Sequence, residues 1–253
     1  MRSILHSIAR GVPFLCAALF ITFTHAAAGH VADDVGRKVE AGTVMVYIEY
    51  DAPYQDRISW GTGFIVGDGL IMTNAHVVGD NVPMRIYVQN RYLPATEARI
   101  VAARYDSEQN GMSRTDYHDV ALLAFTPPAG ARLPALSFSL SPRPGEDVFA
   151  FGYPGSDQPM RFDDGAAPAA PLAVTGGAVR RLVSGNPALV MHDALCRTGN
   201  SGGPIVNSRG EVVGMQTWSA APDRRNVVVS FAIGSRGLAE FMQGAGYRPD
   251  IAG

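Results

Sequence analysis

The chain has 253 residues, 47% of them hydrophobic and 17% charged, with a formal net charge of −2. That balance excludes a disordered chain, and the scattered basic residues exclude a nucleic-acid-binding stripe; Arg180-Arg181 and Arg224-Arg225 read as isolated, solvated pairs. The length suits one two-lobed domain or two small ones.

Residues 1–28 read as a signal peptide, with Arg2 and Arg10 in a basic region and an apolar run from Val12 to Phe23. Thr24-His25-Ala26 and Ala26-Ala27-Ala28 offer small residues for cleavage. The run falls short of the ~20 residues that span a bilayer, and Pro13 interrupts it, so no stable membrane anchor is expected after cleavage. Leu15 is bulky where a lipidation site at Cys16 wants a small residue. The expected location is exported, periplasmic or secreted. Cleavage leaves Cys196 as the sole cysteine, which precludes an internal disulfide framework. Cys196 itself reads as a small buried hydrophobe.

The remaining chain, 29–253, opens on a polar arm from Gly29 to Ala41 with room for one short helix. Thr43 to Tyr50 is rich in β-formers and flanked by breakers, so it reads as the first strand. Trp60 to Val66 and Leu70 to Thr73 flank a Gly67-Asp68-Gly69 turn and form an expected hairpin. Met84 to Gln89 and Ala98 to Ala103 are further short strands, and the polar stretch from Asp106 to Tyr117 is an excursion. His118 to Phe125 runs apolar behind Asp119, and Pro134 to Pro144 reads as a crossing between two halves. Val148 to Gly155 reopens the strand pattern; Ser156 to Pro171 is a long loop rich in Ala, Pro, Asp and Gly. Val174 to Val179, Ala188 to His192, Val212 to Trp218 and Val227 to Ile233 are strands, and a helix of about 236–244 follows.

The stretch that carries chemistry is Thr198-Gly199-Asn200-Ser201-Gly202-Gly203-Pro204. A serine set among glycines stands clear, and nearby backbone N–H groups can converge on the oxygen that becomes negative during acyl transfer. Gly199 has no Cβ and can adopt the angles that aim its N–H inward. A serine hydroxyl needs a base, and the base needs an orienting group. Upstream lie Thr73-Asn74-Ala75-His76-Val77-Val78 and His118-Asp119-Val120-Ala121-Leu122-Leu123.

These three segments, in the order His, Asp, Ser, resemble those of the chymotrypsin-like serine peptidases. The run Gly61-Thr62-Gly63-Phe64, followed by Thr73-Asn74-Ala75-His76-Val77-Val78, is similar to the bacterial HtrA-type branch. The resemblance implies an all-β fold of two six-stranded antiparallel barrels, about 41–140 and 141–235, with the active site in the cleft between them. HtrA-type enzymes usually carry a PDZ domain after the peptidase; these 253 residues are expected to leave no room for one.

By the same resemblance Ser201 is the nucleophile, His76 the general base and acid, and Asp119 the group that orients His76. The N–H groups of Gly199 and Ser201 form the oxyanion hole, and the Thr217 hydroxyl supports Asp119. Trp218 and Ser219 present backbone to an extended polypeptide substrate. Leu195, Ser219 and Val228 line the pocket for the residue on the acyl side of the cut. Leu195 stands where enzymes specific for basic residues place an aspartate, and Ser219 and Val228 stand where glycines widen the pocket. Small aliphatic residues such as Ala or Val are therefore expected there, with an acidic residue the alternative if His192 reaches the pocket. Asn200 carries no charge and cannot pair with a freshly cut N-terminal amine, so signal-peptide removal is the only cleavage expected. His118 adjoins Asp119 but points to the opposite face of an extended chain. No cofactor, metal or nucleic-acid partner is expected, and oligomeric state is left open. The rival reading is a peptide-binding protein on a peptidase scaffold, or an esterase. Such binding proteins typically lose a member of the triad or the oxyanion-hole glycine, and all are present here.

Overall fold

The computed structural model describes residues 31–53, 58–79, 84–106, 118–131, 133–155, 171–220 and 229–253. The expected signal peptide, residues 107–117 and 156–170 of the two expected loops, and Val228 lie outside the described residues.

The polar arm forms helix α1 (Asp33–Gly42), whose first turn holds Asp33 and Asp34, where the helix dipole favours acids. Six strands follow: β1 (Thr43–Tyr50), β2 (Ile58–Gly67), β3 (Leu70–Thr73), β4 (Met84–Asn90), β5 (Leu93–Tyr105) and β6 (Asp119–Phe125), with the four-residue helix α2 (Ala75–Val78) between β3 and β4. They close into an antiparallel barrel in the order β1-β2-β3-β6-β5-β4. The second set is β7 (Asp147–Gly152), β8 (Ala173–Val183), β9 (Leu189–His192), β10 (Pro204–Asn207), β11 (Val212–Ala220) and β12 (Val229–Gly234). It closes as β7-β8-β9-β12-β11-β10, the same order shifted by six strands. Helix α3 (Ser235–Gly244) packs behind. Closure leaves neither barrel an open edge to template aggregation.

Strand alternation explains why the sequence runs continuously apolar. On β6, Ala121, Leu123 and Phe125 fill the first barrel, while Val120 and Leu122 turn into a core between the barrels. On β7, Val148 and Ala150 fill the second barrel, and Phe149 and Phe151 join the same intervening core. The 134–144 crossing contributes Leu136 and Phe138, both fully buried, and Phe138 meets Phe64 edge-on at 6.3 Å between ring centroids. This intervening core fixes one barrel against the other, so groups at the ends of β3, β6 and the β9–β10 connection hold fixed relative positions. Strand β10 and helix α2 were not visible as elements in the sequence. Both are only four residues long and border loop-like stretches.

Candidate active site

The β2–β3 hairpin delivers Asn74 and α2 to the cleft. His76 lies in the first turn of α2, where a backbone N–H has no partner inside the helix. Asp119 opens β6 on the strand face shared with Ala121 and Leu123, the face on which α2 sits. Its Oδ1 accepts the His76 backbone N–H at 2.9 Å, and its Oδ2 accepts the proton on His76 Nδ1 at 2.5 Å. The carboxylate is 1% exposed and grips both backbone and ring of one residue, while the imidazole is 36% exposed. Burying a carboxylate is costly unless it is hydrogen-bonded, and this pairing meets that cost.

Among the described residues no hydrogen bond joins the Thr217 hydroxyl to the Asp119 carboxylate; that hydroxyl donates to Met215 O at 3.0 Å. The Asn74 side-chain amide donates to the Asp119 backbone carbonyl at 2.7 Å and to Thr217 Oγ1 at 3.2 Å, so Asn74 relays between them. Asn74 is fully buried, and this role was not read from the sequence. The neighbouring His118 is engaged elsewhere: its Nδ1 meets Asp106 Oδ2 at 2.7 Å. The Asp106 carboxyl is held below the usual range, since the hydrogen bond from His118 and the charge of Arg104 outweigh its desolvation.

Ser201 follows a tight turn. Asn200 N–H closes onto Arg197 O at 3.0 Å, and Gly199, third of the four residues, has φ +95°. A turn with positive φ at that place takes glycine. The Thr198 carbonyl is held by Gly155 N–H at 2.9 Å, and the Asn200 carbonyl by Gly203 N–H at 2.9 Å. A trans peptide points its N–H away from its carbonyl, so the N–H groups of Gly199 and Ser201 are turned away from these anchors. Among the described residues neither N–H donates to a backbone carbonyl. The Ser201 hydroxyl donates to Thr217 O at 3.4 Å, and among the described residues no hydrogen bond joins it to His76.

The model of the trypsin-like peptidase domain matches residues 61–215, a span that contains His76, Asp119 and Ser201. The chain belongs to the trypsin-like serine peptidases. It is 33% identical over 215 residues to serine protease HTRA1 of Xenopus laevis, covering 83% of this chain and 42% of that protein. It is 30% identical over 213 residues to serine protease HTRA1A of Danio rerio, and 32% over 213 residues to mitochondrial serine protease HTRA2 of Bos taurus. The chain spans about 40% of the length of these curated relatives.

In this trypsin-like domain the expected pocket residues fall into two groups. Trp218 stacks on Phe231 at 5.6 Å, and Ser219 pairs across the β11–β12 ladder with Ser230. Their hydroxyls meet at 3.0 Å, and Ser230 Oγ also donates to Ala194 O at 3.3 Å. A bulge between Gln216 and Trp218 sets this register, which is why Ser230 was not identified from the sequence. Val228, the residue expected here, lies outside the described residues. The Leu195 side chain is 42% exposed, while its backbone carbonyl accepts the Thr175 hydroxyl at 2.8 Å.

His192 lies behind this pair, fully buried, with Nε2 at 2.9 Å from Gln216 Oε1. The Gln216 amide nitrogen donates to Trp218 O at 3.1 Å, so Oε1 faces His192 and Nε2 of the imidazole carries the proton. Burial pushes the His192 pKa down to about 4. An unfolded histidine takes up a proton near pH 6.5, so protonation there favours unfolding until the folded group also titrates near 4. The stabilisation is complete above about pH 6.5 and is lost as pH falls toward 4, a change on the order of 3 kcal/mol. Urea unfolding at pH 7 and 4.5 should show a smaller stability loss for His192→Gln than for wild type; equal losses would remove His192 from this balance.

Proposed function

We propose that the chain is an exported serine endopeptidase that cuts polypeptides through an acyl-enzyme on Ser201. The observation that carries this reading is the nucleophile turn, in which both flanking carbonyls are tied back and the Gly199 and Ser201 N–H groups are left for a developing oxyanion. Asp119 holds His76 with a proton on Nδ1, leaving Nε2 unprotonated for the serine. The Ser201 hydroxyl turns from Thr217 O to His76 as substrate docks, since serine–histidine bonds are loose until then. Ser201 attacks the scissile carbonyl and His76 takes its proton. The same proton then goes to the leaving amine, and water repeats the sequence to release the acyl group. Asn74 and Thr217 steady Asp119 through its backbone carbonyl. An extended substrate lies along Trp218 and Ser219 as an added strand.

The hydroxyl pair of Ser219 and Ser230 supports a shallow pocket for the residue before the cut. His192 is neutral and spent on Gln216, which disfavours the acidic alternative. Alanine and valine are therefore preferred over Arg, Lys, Phe and Tyr, in a graded way, because each methylene shifts discrimination by about 1–3 kcal/mol. Digestion of a peptide library by the purified enzyme tests this. Cuts after Ala and Val are expected to dominate; predominant cuts after Arg or Lys would overturn the pocket assignment, and no cuts at all would overturn the peptidase reading. Among the described residues no helix is long and apolar enough to cross a membrane. Export rests on the 1–28 segment.

A further inference from the structure

Thr62 reaches the nucleophile turn from the other barrel, and none of the steps above uses it. It lies on β2, is fully buried, and bonds through every polar atom it has. Its backbone N–H donates to Ser201 O at 2.8 Å, and its carbonyl accepts the Thr73 hydroxyl at 2.7 Å. Its own hydroxyl donates to Gly199 O at 2.7 Å and accepts Tyr153 N–H at 3.0 Å. The one hydroxyl proton is committed to Gly199, so the group cannot rotate without breaking that bond.

These contacts fall on the carbonyls of the same two residues whose N–H groups are read above as the oxyanion donors. Gly199 O and Ser201 O, one carbonyl on each side of the Asn200 corner, both end on Thr62. Tyr153 opens the short segment whose Gly155 N–H holds the Thr198 carbonyl. The Thr62 hydroxyl thus closes a ring through Tyr153, Gly155, Thr198 and Gly199. The two barrels approach closely along this seam: a Cβ on Gly202 would lie 2.1 Å from Thr62 O, and one on Gly203 3.2 Å from Thr62 Cγ2.

We propose that Thr62 is the positioning residue of the oxyanion hole, its hydroxyl locking the Gly199 peptides so that the N–H pair stays aimed at the reacting carbonyl. This rests on the reading of Gly199 and Ser201 as oxyanion donors. Losing the hydroxyl frees Gly199 O and Tyr153 N–H and lets the glycine turn rotate, while the methyl of the side chain serves only packing.

Thr62→Val keeps the shape and removes the hydroxyl, Thr62→Ala removes both, and Thr62→Ser keeps the hydroxyl alone. Each is assayed for kcat and KM on a peptide anilide with alanine before the scissile bond. Inhibition by the matching peptide aldehyde, whose adduct places an oxyanion in the hole, is measured beside binding of the product peptide. Thr62→Val and Thr62→Ala are expected to lower kcat by about 10²-fold and to weaken the aldehyde in parallel, with KM and product affinity little changed. Thr62→Ser retains most of both. Wild-type kcat and aldehyde affinity in Thr62→Val or Thr62→Ala would overturn the proposal, as would equal losses in Thr62→Ser. If Thr62→Val is not recovered folded, the Ala and Ser variants give the same comparison. A wild-type chain that does not hydrolyse the anilide overturns the peptidase reading itself, and this inference with it.

Discussion

Asp119→Asn is expected to lower kcat for peptide hydrolysis by about 10⁴-fold, as in the well-characterised triad. The reason lies in the two-point grip on His76. Oδ1 accepts a backbone N–H that always donates, so an asparagine keeps its oxygen there and turns its NH₂ toward His76 Nδ1. The ring must then accept at Nδ1 and carry its proton on Nε2, the nitrogen that should take the proton of Ser201. The base is lost by a tautomer change with the fold intact. Ser201→Ala and His76→Ala should abolish most turnover. Steady-state kinetics on purified, folded Asp119→Asn checks the point, and activity within tenfold of wild type would show that Asp119 does not set the tautomer.

Gly199→Ala is expected to lower kcat by at least about 10²-fold with little change in stability-independent substrate binding. A Cβ there would lie 2.4 Å from Tyr153 O and 2.7 Å from Trp60 Nε1, at a φ of +95° that side chains rarely adopt. The turn must rearrange, the Thr198 carbonyl leaves Gly155 N–H, and the Gly199 N–H swings off the oxyanion. Gly145→Ala is the control, because Gly145 has φ +86° but nothing within 4 Å of an added Cβ. It carries the backbone strain without the clash at the site. Comparable kcat losses in both variants would point to general strain and away from the oxyanion hole.

What could be read beforehand divides by the range of the interactions involved. The β2–β3 hairpin was legible because an Asp-Gly turn between apolar runs is a local signal, and Ile65 does pair with Ile71 across it. The serine turn, the histidine segment and the aspartate segment were legible as three local motifs, and Cys196 as a buried hydrophobe, with burial raising its thiol pKa to about 11. The parts that steady the site were hidden. Thr62 acts on Gly199 from 137 residues away, and Asn74 on Thr217 from 143, through contacts that no window of sequence contains. The β11 bulge hid Ser230, since one extra residue in a strand changes which partner faces it.

The most direct measurement is labelling by a serine-directed fluorophosphonate, with the adduct located by mass spectrometry, on pure chain beginning near Ala27. Asn200 is buried and uncharged, and an uncharged side chain cannot form an ion pair with a new N-terminus, so the turn is expected to be competent without a further cut. Labelling at Ser201 without any further cut, absent in Ser201→Ala and slowed in His76→Ala, is the expected result. Chain that takes no label, or takes it only after a second cleavage, would contradict a preformed Ser201 nucleophile.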